Sequence, residues 1–206
     1  MNAKQRGFTL IEILVVVTII GVLAGLVVVL IPKSQAEAAK LECINNLRNI
    51  AGSLQTGSGK YASKYPPYAG PNLALYLVKK GELQEEESLG ILFCPGDNDE
   101  SLDEAGGLAA YKGLDLDKQG EYDDLTSYAG RNQKDKACRA KKGVAKQVIL
   151  FCDDGDDHHP EGLCVAYTGG QARFRSKVDD WKLDHDTKVE IGEGSDIDEL
   201  KCLIAE

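Results

Sequence analysis

The chain has 206 residues, 43% of them apolar and 28% charged, and its 33 acidic residues against 24 basic ones give a formal charge of −9. Once a long N-terminal apolar segment is set aside, this length supports one modest core and excludes two large domains. The acidic balance argues against a nucleic-acid partner, because phosphate affinity needs a basic surface.

Residues 1–7 carry Lys4 and Arg6 and no acid, and residues 8–31 read FTLIEILVVVTIIGVLAGLVVVLI. That run exceeds the roughly 20 residues with which an α-helix crosses about 30 Å of hydrocarbon. The positive charges ahead of it keep residues 1–7 cytoplasmic and send the C-terminal bulk across, as a single-pass anchor. Glu12 stands one turn into the apolar run, where a carboxylate is costly unless it finds a partner, so the sequence demands one. A secretory signal cut after Ala36-Glu37-Ala38 fits less well, since its apolar region would span about 7–15 residues without a charge. A plain anchor explains the hydropathy and leaves Glu12 alone.

Beyond Pro32, which should kink the helix, Ala36, Ala39, Cys43, Leu47, Ile50 and Leu54 recur at helical spacing. Gly57 and Gly59 supply a stop, so one helix of about 45 residues is expected. Next come a short helix over NLALYLVKKG with Asn72 as N-cap and Gly81 as C-cap, and a loop-dominated acidic stretch from Glu82 to Asp124. Strands are expected at Gln147–Cys152, Leu163–Thr168 and Gln171–Lys177, the last two joined by a two-residue turn at Gly169-Gly170. Ser195-Asp-Ile-Asp198 opens a short amphipathic helix bearing Ile197, Leu200, Leu203 and Ile204. The fold class is α+β: a membrane-spanning helix continuing into a small antiparallel-sheet head, loop-rich and disulfide-linked. The organisation is residues 1–7 leader, 8–31 spanning helix, 32–57 its soluble continuation and 58–206 head.

The basic leader ending in Gly7, followed by Phe8-Thr9-Leu10-Ile11-Glu12 and an apolar helix, closely resembles the N-terminal signal of type IV pilins and type II secretion pseudopilins. The resemblance implies cleavage between Gly7 and Phe8 by a prepilin peptidase that methylates the new N-terminus. It implies that Glu12 pairs with the Phe8 amine of a neighbouring subunit. It further implies a lollipop-shaped structural subunit, not an enzyme, forming homo- or hetero-oligomers with other pilin-like chains on an inner-membrane assembly platform. The location implied is the bacterial inner membrane with a periplasmic head, or the cell exterior once a filament has assembled. Three head segments are similar to a pseudopilin-like subfamily: Cys43-Ile-Asn-Asn-Leu-Arg48, Cys94-Pro-Gly-Asp97, and His159 followed by Gly169-Gly170, with Gly169 in place of the aspartate of an H-x9-D-G element. A membrane-anchored binding module for calcium or a secreted substrate, forming no filament, stands as the alternative.

Six cysteines, Cys43, Cys94, Cys138, Cys152, Cys164 and Cys202, lie on the translocated side and make disulfides the default, with 15 possible connectivities for three bridges. The shared segments point to a Cys43–Cys94 pair. A zinc alternative would draw on Cys152, His158, His159 and Cys164, although that spacing matches no standard structural site. For calcium, Asp115, Asp117, Gln119 and Asp123 follow D-x-D-x-x-G around Gly120, yet Gln119 replaces an Asp or Asn, and Thr126 stands where a bidentate Glu belongs. The basic run with Lys134, Lys136, Arg139, Lys141, Lys142 and Lys146 reads as a solvated loop. No G-x-S-x-G, H-E-x-x-H or dinucleotide-binding glycine motif occurs, and GSGK at 57–60 lacks the P-loop's first glycine and its Ser or Thr.

Overall fold

Apolar residues that face every direction around a helix and apolar residues confined to one stripe need different surroundings, and this chain contains both in one element. The computed structural model describes residues 8–56, 64–96, 101–118, 120–142, 144, 146–152, 159–184 and 186–204. Two units divide it, Met1–Ala38 and Ala39–Glu206. Helix α1, Leu10–Thr56, contributes residues to both.

In the first unit α1 carries apolar residues all round from Ile13 to Leu26, and its described side chains from Leu10 to Leu26 are exposed. The helix bends by 41° between Leu10–Leu26 and Ile31–Thr56. Pro32 explains the position: it offers no N–H to the carbonyl one turn earlier, and its ring crowds that carbonyl. No single helix among the described residues is long and apolar enough to cross a membrane. Leu10–Leu26 and Ile31–Thr56 meet that requirement together, by length and composition.

In the second unit the expected stripe is real from Cys43 onward, with Cys43, Leu47, Ile50 and Leu54 buried and Ala51 beside them, whereas Ala39 is half-buried and Ala36, in the first unit, is exposed. Helix α2, Pro71–Lys80, starts two residues earlier than expected because Pro71 takes the first helical position, where its missing N–H costs nothing. Gly70, not Asn72, precedes it. The Asn72 side chain is instead buried and donates to the carbonyls of Leu116 and Lys118, pinning the acidic loop. Gly81 closes α2 in the left-handed region at φ 84°, as expected. Among the described residues, the stretch after it holds the short helix α3, Glu86–Leu89, and 3-10 turns at Gly90–Leu92, Gly107–Ala109 and Asp123–Leu125.

The described residues form a five-stranded antiparallel sheet from β1 (Tyr128–Arg131), β2 (Val148–Cys152), β3 (Gly162–Tyr167), β4 (Ala172–Ser176) and β5 (Leu203–Ile204), in the order β4-β3-β2-β1-β5. Three strands match the expectation, and β1 and β5 are additions. The β3–β4 turn takes in Thr168 as well as the glycines: Gly170 N–H donates to Tyr167 O, and Tyr167 N–H to Gln171 O. Tyr128, Leu150, Cys152, Cys164 and Ala166 share one core with Cys43, Leu47, Ile50 and Leu54 of α1 and with α2. Ala129, Val148, Phe151, Leu163 and Val165 form a second core with Leu200 and Leu203 on the opposite face.

The expected helix after Ser195 does not form. Its apolar residues cover the sheet as successive turns, because Cys202 is bonded to Cys138 and its carbonyl accepts from Asn132 N–H, drawing the chain out into β5. Arg175 ties this segment to β4, donating from Nε and one terminal nitrogen to Glu199 Oε1 at 3.1 and 2.9 Å, while Trp181 Nε1 donates to the same oxygen at 2.8 Å.

Candidate functional site

Gly7 lies outside the described residues, and Phe8 is exposed. Thr9 precedes the first helical residue and Glu12 stands three positions on, so the segment has the S/T-x-x-E form of a capping box. Thr9 N–H and Oγ1–H donate to Glu12 Oε2 at 2.7 and 2.8 Å, and Glu12 N–H donates back to Thr9 Oγ1 at 3.3 Å. The Glu12 carboxylate therefore satisfies one amide donor at the helix start, Thr9 N–H, and Thr9 Oγ1 satisfies a second, Glu12 N–H. A carboxylate has about four acceptor positions, so capacity remains for a further donor. The T-x-x-E spacing announced this role, which reading Glu12 only as a buried charge passed over.

Of the calcium residues, Asp115 and Asp117 are exposed on a turn where Asp117 N–H donates to Asp115 Oδ1 at 3.4 Å. Gln119 and the Asp123 side chain lie outside the described residues.

The expected pairing of Cys43 with Cys94 is corrected. Among the described residues the disulfide joins Cys138 to Cys202, 64 positions apart, while Cys43, Cys94, Cys152 and Cys164 are buried outside any disulfide. Cys43 and Cys94 do meet, in larger company: the sulfurs of Cys43, Cys94 and Cys152 and a ring nitrogen of His159 all lie within 4.8 Å of one another. Cys94 Sγ and His159 Nε2 are 3.3 Å apart.

Local sequence explains each position. Cys43 and Asn46 are three apart on α1 and share its inward face, and Asn46 Nδ2 donates to Phe93 O beside Cys94. Tyr128 O–H donates to the same carbonyl, and Thr126 Oγ1 and Ser127 N–H both hold Leu92 O. Cys152 ends β2 on the helix-facing side, opposite Tyr128 in β1. His159 leads into β3, and its carbonyl accepts from Gly162 N–H. Gly162 permits this turn into the strand, since a Cβ there would sit 2.0 Å from Arg175 O.

Electrostatics in the cluster are strongly coupled to burial. Burial lowers the affinity of His159 for a proton, but hydrogen bonding from Cys43 and Cys94 outweighs it and pushes the imidazole up to about 9. Burial and the neighbouring sulfurs hold the Cys152 thiol well above its usual range. Burial also opposes ionisation of Cys43, yet hydrogen bonding from Cys152 and its neighbours brings Cys43 below its usual value. Cys43 and His159 are thus shifted in opposite directions, the thiol towards easier loss of its proton and the imidazole towards firmer retention.

Of the residues weighed for zinc, Cys152 and His159 are in the cluster and His158 lies outside the described residues. Cys164 is not one of the four; its Sγ faces Lys40 O at 4.0 Å. Cys43 and Cys94 complete the group instead. Each had been singled out within its own motif, but nothing in their spacing announces that they converge.

Residues 2–28 match the family model described as the prokaryotic N-terminal methylation motif. The chain is 32% identical over 147 residues to type II secretion system core protein G of Escherichia coli (strain K12), an alignment covering 65% of this chain and 97% of that protein. It is 43% identical over 51 residues to type II secretion system core protein G of Klebsiella pneumoniae, covering 25% of this chain and 36% of that one. The protein of the same name from Dickeya chrysanthemi is 45% identical over 54 residues, covering 26% and 35% respectively. No solved structure matches.

Proposed function

We propose that this chain, which belongs to the family of type II secretion system core protein G, is a structural subunit that assembles through its N-terminal helix into a secretion or pilus-type filament. The observation that carries the reading is the apolar surface of α1: Leu10, Ile13, Leu14, Val17, Ile20 and Leu23 are all at least half exposed. Apolar area on this scale is stable only when removed from water, first by lipid and then by other helices. Before assembly the chain is held in the bacterial inner membrane, with residues 1–7 cytoplasmic and the second unit periplasmic. A disulfide in that unit fits an oxidising compartment. Prepilin peptidase cuts between Gly7 and Phe8 and methylates Phe8, and the inner-membrane platform passes the subunit into a filament with its own kind or with other pilin-like chains.

In this reading Glu12 has two duties, capping its own helix through Thr9 and accepting the Phe8 amine of a neighbour. Two substitutions separate them. Glutamine serves in a capping box as glutamate does, so Glu12→Gln keeps the cap and removes the charge, whereas Glu12→Ala removes both. Both variants should be processed to N-methylated Phe8, as read by intact mass, and both should lose filaments sheared from cells. Normal filament yield from Glu12→Gln would overturn charge pairing and leave Glu12 a helix cap. An N-terminus other than Phe8 in the wild-type protein would overturn the filament reading in favour of a membrane-anchored binding module.

A further inference from the structure

We propose that Cys43, Cys94, Cys152 and His159 form a closed tetrahedral site for a structural zinc ion, which ties α1 to the sheet inside the second unit. The four donors come from four places in the fold: α1, the segment after the Gly90–Leu92 turn, the end of β2, and the approach to β3. Three sulfurs and one imidazole nitrogen are the donor set of a common structural zinc class. With Zn–S near 2.3 Å, tetrahedral geometry puts ligand sulfurs about 3.8 Å apart, so donors already within 4.8 Å need little movement.

Three features separate this arrangement from a chance meeting of buried thiols. Cysteine alone is at home in an apolar core, but His159 is 6% exposed and directs Nε2 at Cys94 Sγ rather than at a backbone oxygen or solvent. A disulfide between any two of the three cysteines would leave the third sulfur and the imidazole buried beside it, whereas one tetrahedral ion uses all four. The supporting contacts are already built: Asn46 and Tyr128 fix the Phe93 carbonyl next to Cys94, and Phe174 meets the His159 ring at right angles, 6.4 Å between centroids. Three thiolates and a neutral imidazole around a dication leave one residual negative charge. The Lys40 ammonium, 4.6 Å above the Phe174 ring, lies on that side of the core.

Binding is acid–base chemistry with no change of oxidation state. Zn²⁺ displaces the thiol protons of Cys43, Cys94 and Cys152 to solvent, and His159 binds as the neutral imidazole through Nε2. The site has no open position, so its role is to hold four elements together.

The test uses the full chain in detergent, purified from the membrane without chelator. Elemental analysis should find one zinc per chain, and alkylation of the denatured protein in the presence of chelator should label Cys43, Cys94 and Cys152 as thiols. Cobalt(II) added alone to chelator-treated protein should give the visible absorption of a tetrahedral thiolate complex. Cys164→Ser should retain full metal content. Cys152→Ser should lose it. His159→Cys, which supplies a fourth sulfur, should keep zinc where His159→Ala does not. Metal-free protein that binds neither zinc nor cobalt, or any two of Cys43, Cys94 and Cys152 recovered as a disulfide, would overturn the proposal. So would a Cys164→Ser variant that loses the metal. Because the wild-type measurements need no variant to fold, and no filament to form, they decide the question independently of the assembly reading.

Discussion

The two ends of α1 share a secondary structure and differ in what surrounds them. From Leu10 to Leu26 the side chains are mostly branched, apolar and exposed on every side, whereas from Cys43 to Leu54 one stripe is buried and most of the remaining positions are polar or small. Periodicity decides the outcome. A stripe finds its complement within the same chain, on the sheet face lined by Leu150, Cys152 and Ala166. A helix apolar all round has no inside face and takes its surroundings from lipid or from other molecules.

The largest break in this comparison comes from the second unit's covalent closure. Replacing Cys138 and Cys202 together by alanine reopens a 64-residue separation and should cost about 4 kcal/mol in chemical denaturation. An unchanged midpoint would mean that the sheet holds β5 without the bond. A matched pair of substitutions in the helix sharpens the contrast. Leu47→Ala empties a fully buried site and should cost about 3 kcal/mol, lowering the melting temperature by roughly 6–12 °C for a chain of this size. Leu14→Ala, on an exposed site, should leave that melting transition where it was. Equal shifts from both would show that the two ends do not differ in what covers them. A smaller loss than that of Leu47→Ala belongs to the contact between α2 and β1. A Cβ at Gly130 would meet Leu73 Cδ2 at 2.8 Å and Ile149 O at 3.1 Å, so Gly130→Ala should destabilise the unit by about 2 kcal/mol in the same assay.

Elements with their own periodicity or punctuation were legible in the sequence. The stripe through Leu47, Ile50 and Leu54, the stop at Gly81 and the continuous apolar run of β2 all declare themselves locally. Strand β1 did not, because Tyr-Ala-Gly-Arg looks like a turn. Its glycine is there to let Leu73 approach the sheet, a fact about a neighbour 57 positions away. Strand β5 is two residues long, and the amphipathic spacing of Ile197, Leu200 and Leu203 fits a helix equally well until the bond at Cys202 pulls the chain straight. The cysteine–histidine cluster was legible only in pieces. Its members come from four separate parts of the chain, and no spacing rule links residues that only the folded topology brings together.

The rim of the sheet has a consequence for how copies of this chain can join. At one side β5 ends the ladder after two residues. At the other, β4 carries Arg173 and Arg175, both committed to neighbours in their own chain: Arg173 to the Tyr167 hydroxyl, Arg175 to Asp180 and Glu199. Short or cation-bearing borders are the devices by which sheets refuse a strand from another molecule. Among the described residues, both borders of the sheet thus carry features that oppose strand addition from another copy.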